Sequence, residues 1–197
     1  MSGELALFDF DGTLSRRDSL ADFLGFSFGW PAVVRGGAAL MPTLVAYAAG
    51  RLANQPAKER VLRHFLGGCP RSELERLGRR YATERLPRIL RSTGVERLEW
   101  HRREGHAVVV VTASVDIWIQ PWCDGLSIDL LASSLEYTDD RATGRLAGVN
   151  CHGEEKVRRI RGCYDLTRFR RIHAYGDSRG DRPMLALADE AHWRPFR

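Results

Sequence analysis

Four consecutive valines, Val108 to Val111, constrain the fold of this chain most. A β-branched run with no polar alternation suits a strand buried on both faces, and such strands belong to parallel sheets covered by helices on each side. Leu5 to Phe8 is a second run of this kind, and it stops at a pair of aspartates. Ile128 to Ala132 and Ile172 to Tyr175 read as further strands, with His192 to Pro195 as a short last one. Helical segments fit between them. Val95 to Arg103 precedes the valine run, and Asp116 to Cys123 follows it, with Pro121 expected to shorten that helix. Glu154 to Cys163 and Arg182 to Ala188 flank the fourth strand. Strands alternating with helices predict an α/β fold, a Rossmann-like doubly wound parallel sheet with right-handed crossovers. Leu135 to Leu146, with Asp139-Asp140 and Thr143-Gly144 at the bend, predicts a small β-hairpin excursion.

Residues 16–90 have helical periodicity and no convincing strand. Asn54 is placed to cap a helix carrying Val61, Leu62 and Phe65. Ser72 and Glu75 form a capping-box pattern ahead of Leu74, Leu77 and Tyr81. The expected organisation is a catalytic core of residues 1–15 and 91–197, with a helical cap of residues 16–90 inserted after the first strand. In an open parallel sheet ligands bind at the carboxyl ends of the strands, so an insert leaving there can cover the site.

Four clusters fall at such strand ends or helix starts. In Phe8-Asp9-Phe10-Asp11-Gly12-Thr13-Leu14, the two aspartates are two residues apart and point the same way on an extended chain. Adjacent carboxylates repel unless a proton or cation compensates, and Mg2+ prefers oxygen ligands of this kind. Thr112-Ala113-Ser114 follows the valines; its hydroxyls and N–H groups suit a phosphoryl oxygen, although Ser114 could be only an N-cap. Lys156 is one of only two lysines, the other being Lys58, in a chain with 30 basic residues. It is either a deliberately placed point charge or an exposed helix lysine. In Gly176-Asp177-Ser178-Arg179-Gly180-Asp181, Asp177 could complete a metal site, and Asp181 could orient Lys156 or cap the helix after it.

The net charge of +5 comes from arginines scattered among acids, and no nucleic-acid motif is present. The four cysteines form no C-x-x-C pair, and no charged leader with an apolar run precedes Glu4. A reduced, cytoplasmic setting is expected.

Asp-x-Asp-Gly-Thr, then Thr after a strand, then Lys, then Gly-Asp-x-x-x-Asp is similar to the haloacid dehalogenase superfamily, in this order and over the whole chain. The helical insert resembles the small cap of its phosphoserine phosphatase-like branch. The dehalogenases of that superfamily lack the second aspartate, so Asp11 implies phosphoryl transfer. The resemblance implies a Mg2+-dependent phosphatase with Asp9 as nucleophile and Asp11 as acid and base. It places the metal on Asp9, the backbone carbonyl of Asp11 and Asp177. Thr112, Ala113 and Ser114 would bind the phosphoryl group, Lys156 would offset charge, and Asp181 would support it. A small phosphorylated substrate is implied, with Asp18 and Lys58 as candidate contacts to it. Asp18 stands where phosphoserine phosphatases carry Glu, and Lys58 near where they carry a cap arginine; Gly180 replaces their Asn. Asp18 could equally cap the helix from Leu20.

The tail from Tyr175 and the Asn150-Cys151-His152-Gly153 stretch also resemble relatives of bacterial phosphatidylglycerophosphate phosphatases, which carry an apolar cap insert. Ala38 to Ala49 occupies a similar place here. Its twelve residues are too few to span a bilayer, which needs about 20. A buried cap helix is the expected reading and a helix on a membrane surface the alternative. A lipid head-group phosphatase and a non-catalytic phosphate-binding module are the other functional readings.

Overall fold

A computed structural model describes residues 3–197. Five parallel strands form one sheet in the order β3-β2-β1-β6-β7. They are β1 (Glu4–Phe8), β2 (Ala107–Val115), β3 (Asp129–Ser133), β6 (Arg171–Gly176) and β7 (Glu190–Trp193). A separate antiparallel pair, β4 (Leu135–Thr138) and β5 (Arg141–Leu146), makes the hairpin. The last strand starts two residues earlier than the sequence suggests. The chain reverses direction across the sheet between β1 and β6, so the crevice beyond Phe8 and Gly176 is where this topology binds ligands.

Both faces of the sheet are buried, as the valine run demands. Leu5, Leu7, Val109, Val111, Ile172 and Ala174 pack with Ile160 of α8 (Glu154–Cys163) and with Met184 and Leu185 of α9 (Arg182–Leu185). Ala6, Phe8, Val108, Val110 and Tyr175 face the other way, toward Leu98 of α6 (Ser92–Arg103) and Trp118, Ile119 and Cys123 of α7 (Asp116–Leu126).

Pro121 does not shorten α7, which continues to Leu126. Proline removes the N–H that would bond the carbonyl of Ile117. Gly78 of α5 (Arg71–Glu84) abuts that carbonyl, where a Cβ would lie 1.9 Å from the oxygen. The absent side chain lets the two helices meet at backbone distance. In the hairpin, Asp139 and Asp140 both take positive φ, 49° and 59°, as a two-residue turn between right-twisted strands requires. Gly144 is not at the bend: it lies inside β5, where a Cβ would meet the Arg63 Cα at 2.2 Å.

Helices fill the stretch between Ser15 and Leu90: α1 (Ser19–Phe28), α2 (Trp30–Ala39), α3 (Met41–Ala48), α4 (Asn54–Leu66) and α5. The chain leaves and returns side by side, with Ser15 bridged antiparallel to Leu90. Two expected caps are absent. Asn54 is the first residue of α4 rather than its cap, because its side chain is taken by Asn150 and Tyr47. Ser72 caps nothing, since α5 starts at Arg71 after Pro70 and Glu75 pairs with Arg71. The largest departure concerns Ala38 to Ala49. The run breaks at Leu40 into two helices, and most of it is exposed rather than buried. Val34 is 68 % exposed, Val45 58 %, Met41 52 % and Trp30 50 %. No helix among the described residues is long and apolar enough to cross a membrane.

Candidate active site

The carboxyl ends of β1, β2 and β6 bring Asp9, Thr112 and Asp177 to one crevice, and α8 adds Lys156. Asp9 follows β1 directly, and its N–H donates to the Tyr175 carbonyl at 2.9 Å, extending the pairing with β6 by one residue. Its carboxylate is buried. Oδ1 accepts from Lys156 Nζ at 2.7 Å and Oδ2 from the Thr13 hydroxyl at 3.0 Å. Burial pushes the Asp9 carboxyl up to about 7 despite Lys156, and the Asp181 and Asp11 charges add to the rise.

Lys156 is no exposed helix lysine. It is 1 % exposed, and its ammonium donates to Asp9 Oδ1, Asp181 Oδ1 and the Val111 carbonyl at 2.6 to 2.7 Å. Its three donors meet three acceptors. Burial alone would favour its neutral form, but the two carboxylates outweigh this and hold it charged. Asp181 does not cap α9 with its side chain. Its Oδ2 accepts from the N–H groups of Asp177 and Ser178 and from the Ser178 hydroxyl, while Oδ1 takes Lys156. Lys156 and Ser178 keep its carboxyl below the usual range even though burial opposes them.

Asp11 is held apart from this lattice. Gly12, at φ +85°, turns the chain after it. Asp11 Oδ1 accepts from the Ser19 N–H at 2.7 Å and Oδ2 from the Ser114 hydroxyl at 2.5 Å. Burial, reinforced by the Asp18 charge, pushes the Asp11 carboxyl up to about 6. Ser114 is therefore not an N-cap, and β2 runs through it to Val115. The register with β3 breaks between Thr112 and Val115, which frees this segment from regular pairing. Thr112 Oγ1 accepts from the Ser114 N–H at 3.0 Å, leaving its proton available.

Lys58 reaches in from α4. Its ammonium donates to the Ala113 carbonyl and, at 3.1 Å, to Asn150 Oδ1, and burial lowers it to about 8. Asp18 caps α1 by accepting from the Ala21 N–H at 3.0 Å, and its side chain is exposed. Gly180 has its own requirement, since a Cβ there would lie 2.3 Å from His152 Nε2.

A cation fits one corner of the site. One carboxylate oxygen from each of Asp9, Asp177 and Asp181 lies within 4.8 Å of the others. Asp177 Oδ1 is buried with no hydrogen-bond partner among the described residues, and Oδ2 is paired with Arg197. Gly12 lies against Asp177, where a Cβ would come 2.5 Å from Oδ2, so the turn leaves space beside this carboxylate. Of these carboxylate oxygens only Asp177 Oδ1 lacks a donor, and a buried oxygen of that kind is what a hard cation takes. The Asp11 carboxylate is not in the cluster.

Thr13, Ser19 and Asn150 receive no role from sequence alone, yet they hold Asp9, Asp11 and Lys58 respectively. Thr13 was visible inside the first motif. Ser19 carries no pattern that marks it, and Asn150 is marked only as part of the Asn150-Cys151-His152-Gly153 stretch, with nothing to link it to Lys58 far away in sequence.

Residues 6–186 match the model of the haloacid dehalogenase-like hydrolase family. The chain is 40% identical over 195 residues to Protein CicA of Caulobacter vibrioides, covering 98% of this chain and 86% of that one. A crystal structure of a Bordetella pertussis Tohama I protein of unknown function is 28% identical with a TM-score of 0.78, over 95% of this chain and 88% of that one. A phosphoserine phosphatase solved as a phospho-aspartyl intermediate analogue has the same fold, with a TM-score of 0.61 at 22% identity, over 95% of this chain and 84% of that one.

Proposed function

The chain belongs to the haloacid dehalogenase-like hydrolases, and from that premise we propose that it is a Mg2+-dependent phosphatase acting on a small, phosphoserine-like monoester through Asp9. One observation carries the reading: the two carboxylates of the first motif have been given opposite surroundings. Asp9 faces an ammonium and a hydroxyl inside a buried lattice, whereas Asp11 is gripped separately by Ser19 and Ser114. Pairs of acids held in different environments can divide the work of nucleophile and proton carrier.

In the first half-reaction an Asp9 carboxylate oxygen bonds to phosphorus as the bond to the leaving oxygen breaks, and Asp11 gives that oxygen its proton. In the second, water attacks the same phosphorus and Asp11 takes a proton from it. The bond between Asp9 and phosphorus breaks, releasing inorganic phosphate and restoring both carboxyl groups. Asp11, pushed up to about 6, can carry a proton near neutral pH. Asp9 must be ionised to attack, yet burial raises it to about 7 with Lys156 alone to compensate. Mg2+ on Asp9, Asp177 and the Asp11 backbone carbonyl would supply the missing positive charge and offset that of the phosphoryl group. Thr112 and the Ala113 N–H would hold phosphoryl oxygens, with Lys156 between Asp9 and Asp181 fixing the nucleophile.

Residues 16–90 would form the cap over a core of residues 1–15 and 91–197, with Lys58 and Asp18 as its contributions to substrate choice. A reducing, cytoplasmic setting suits the four free cysteines. A second reading, a lipid head-group phosphatase at a membrane surface, is favoured by the exposed apolar side chains of α2 and α3.

The test is a panel of phosphomonoesters in Mg2+, including phosphoserine and phosphatidylglycerophosphate, ranked by kcat/KM. Small amino-acid phosphates should lead. A lead for the lipid, with flotation on anionic vesicles, would move the assignment to the second reading. No turnover of any ester, with phosphate still bound, would reduce the protein to a binding module.

A further inference from the structure

Four of the chain's six histidines, His101, His106, His173 and His192, gather on the face of the sheet covered by α6. They share no residue with the Asp9 site. Around them lies a cavity of about 310 Å3, lined among others by Glu4, Arg171 and Glu190.

Two carboxylates there are arranged alike. Glu4 Oε1 is held by Arg170 at 2.6 Å and Glu190 Oε1 by Arg171 at 2.8 Å. Each turns its other oxygen toward His173: Glu4 Oε2 lies 2.9 Å from Nε2, and Glu190 Oε2 lies 3.2 Å from Nδ1. With Nε2–H donating to Glu4, Nδ1 carries the lone pair and faces Glu190. This carboxylate–imidazole relay is how proteins orient histidines that bind metal. His192 Nε2 completes the group. It is buried without a hydrogen-bond partner among the described residues and lies 3.9 Å from Glu190 Oε2. Its ring is stacked on Tyr175 at 4.5 Å.

One ligand atom from each of His173, Glu190 and His192 lies within 4.8 Å of the others. Ligand atoms of a tetrahedral Zn2+ site, each about 2.0–2.1 Å from the ion, lie about 3.3 Å apart; here Glu190 Oε2 lies 3.2 Å from His173 Nδ1 and 3.9 Å from His192 Nε2, so closure on an ion needs only a small inward movement of His192. The neighbouring set His101, His106 and His173 does not compete. His101 Nδ1 is engaged with His106 Nδ1 at 2.8 Å, and its Nε2 with the Tyr175 hydroxyl at 2.9 Å.

We propose that His173, Glu190 and His192 bind a divalent transition ion of the Zn2+ class, with water in the fourth position, clipping the edge strand β7 to β6. Two imidazoles and one carboxylate select such an ion over Mg2+. The probe is Zn2+ added to the whole protein in excess Mg2+, which keeps oxygen-only sites filled. One Zn2+ per chain should bind and raise Tm. His192→Ala and Glu190→Gln should each weaken binding by at least about tenfold, with unchanged circular dichroism. X-ray absorption of the Zn2+-loaded wild type should show two imidazole nitrogens, a readout that needs no variant to fold. Absence of Zn2+ binding in excess Mg2+, equal affinity in both folded variants, or a coordination shell without imidazole would each overturn the site.

Discussion

The lattice around Lys156 and the pair α2–α3 treat their surroundings in opposite ways. At Lys156 every ammonium donor has an acceptor and both carboxylates are buried with it. On α2 and α3, Val34, Met41, Leu44 and Val45 stand in solvent, and no acid occurs between Asp22 and Glu59. One region is saturated by its own chain, and the other leaves apolar surface with nothing of its own to cover it. Chemistry is written in the saturated region, because buried polar groups tolerate only complete pairing.

Substitutions can break this contrast in graded steps. Asp9→Asn keeps the shape of the lattice and removes the nucleophile, so kcat should fall about 10^4-fold or more; turnover of an aryl phosphate at the wild-type rate would refute the assignment. Lys156→Met leaves two buried carboxylates without their cation and should cost about 3–5 kcal/mol in urea unfolding. Gly78→Ala drives a Cβ into the Ile117 carbonyl and should cost about 1–3 kcal/mol, although alanine is the better helix former. Glu155 gives a pH signature. Its contacts with Arg158 and Arg159 lower it from 4.5 to about 2, so its stabilisation is complete above about 4.5 and is lost as pH falls toward 2. Glu155→Gln should flatten the acid limb of a Tm–pH curve in that window. Val34→Ser and Val45→Ser should change stability by no more than about 0.5 kcal/mol. If the membrane reading holds, those two should still reduce vesicle flotation, which a buried helix would not do without unfolding.

The same contrast explains what the sequence could carry. The sheet was legible because four valines in a row permit few alternatives, and the hairpin because two aspartates can accept positive φ. Asp9, Lys156, Asp177 and Asp181 were legible as an ordered set, and the structure brings them together. Caps were less legible. Asn54, Ser72 and Ser114 all match local rules, but Asn150, an earlier helix start and Asp11 claim these positions instead. The exposure of Ala38 to Ala49 was hidden for a related reason: an apolar run records what a segment avoids and says nothing of whether its own chain covers it.

Gly144 has a reach beyond the hairpin in which it sits. Its missing side chain lets the Arg63 backbone of α4 rest directly on β5, and Lys58 is carried on that same helix. Any larger residue at 144 would lever α4 outward and draw the ammonium away from Ala113 without substituting any residue of the crevice. On the proposed role of Lys58 in substrate choice, the preference for one ester over another would be open to retuning from the back of the molecule, so that lineages could diverge in diet while every reactive side chain stayed the same.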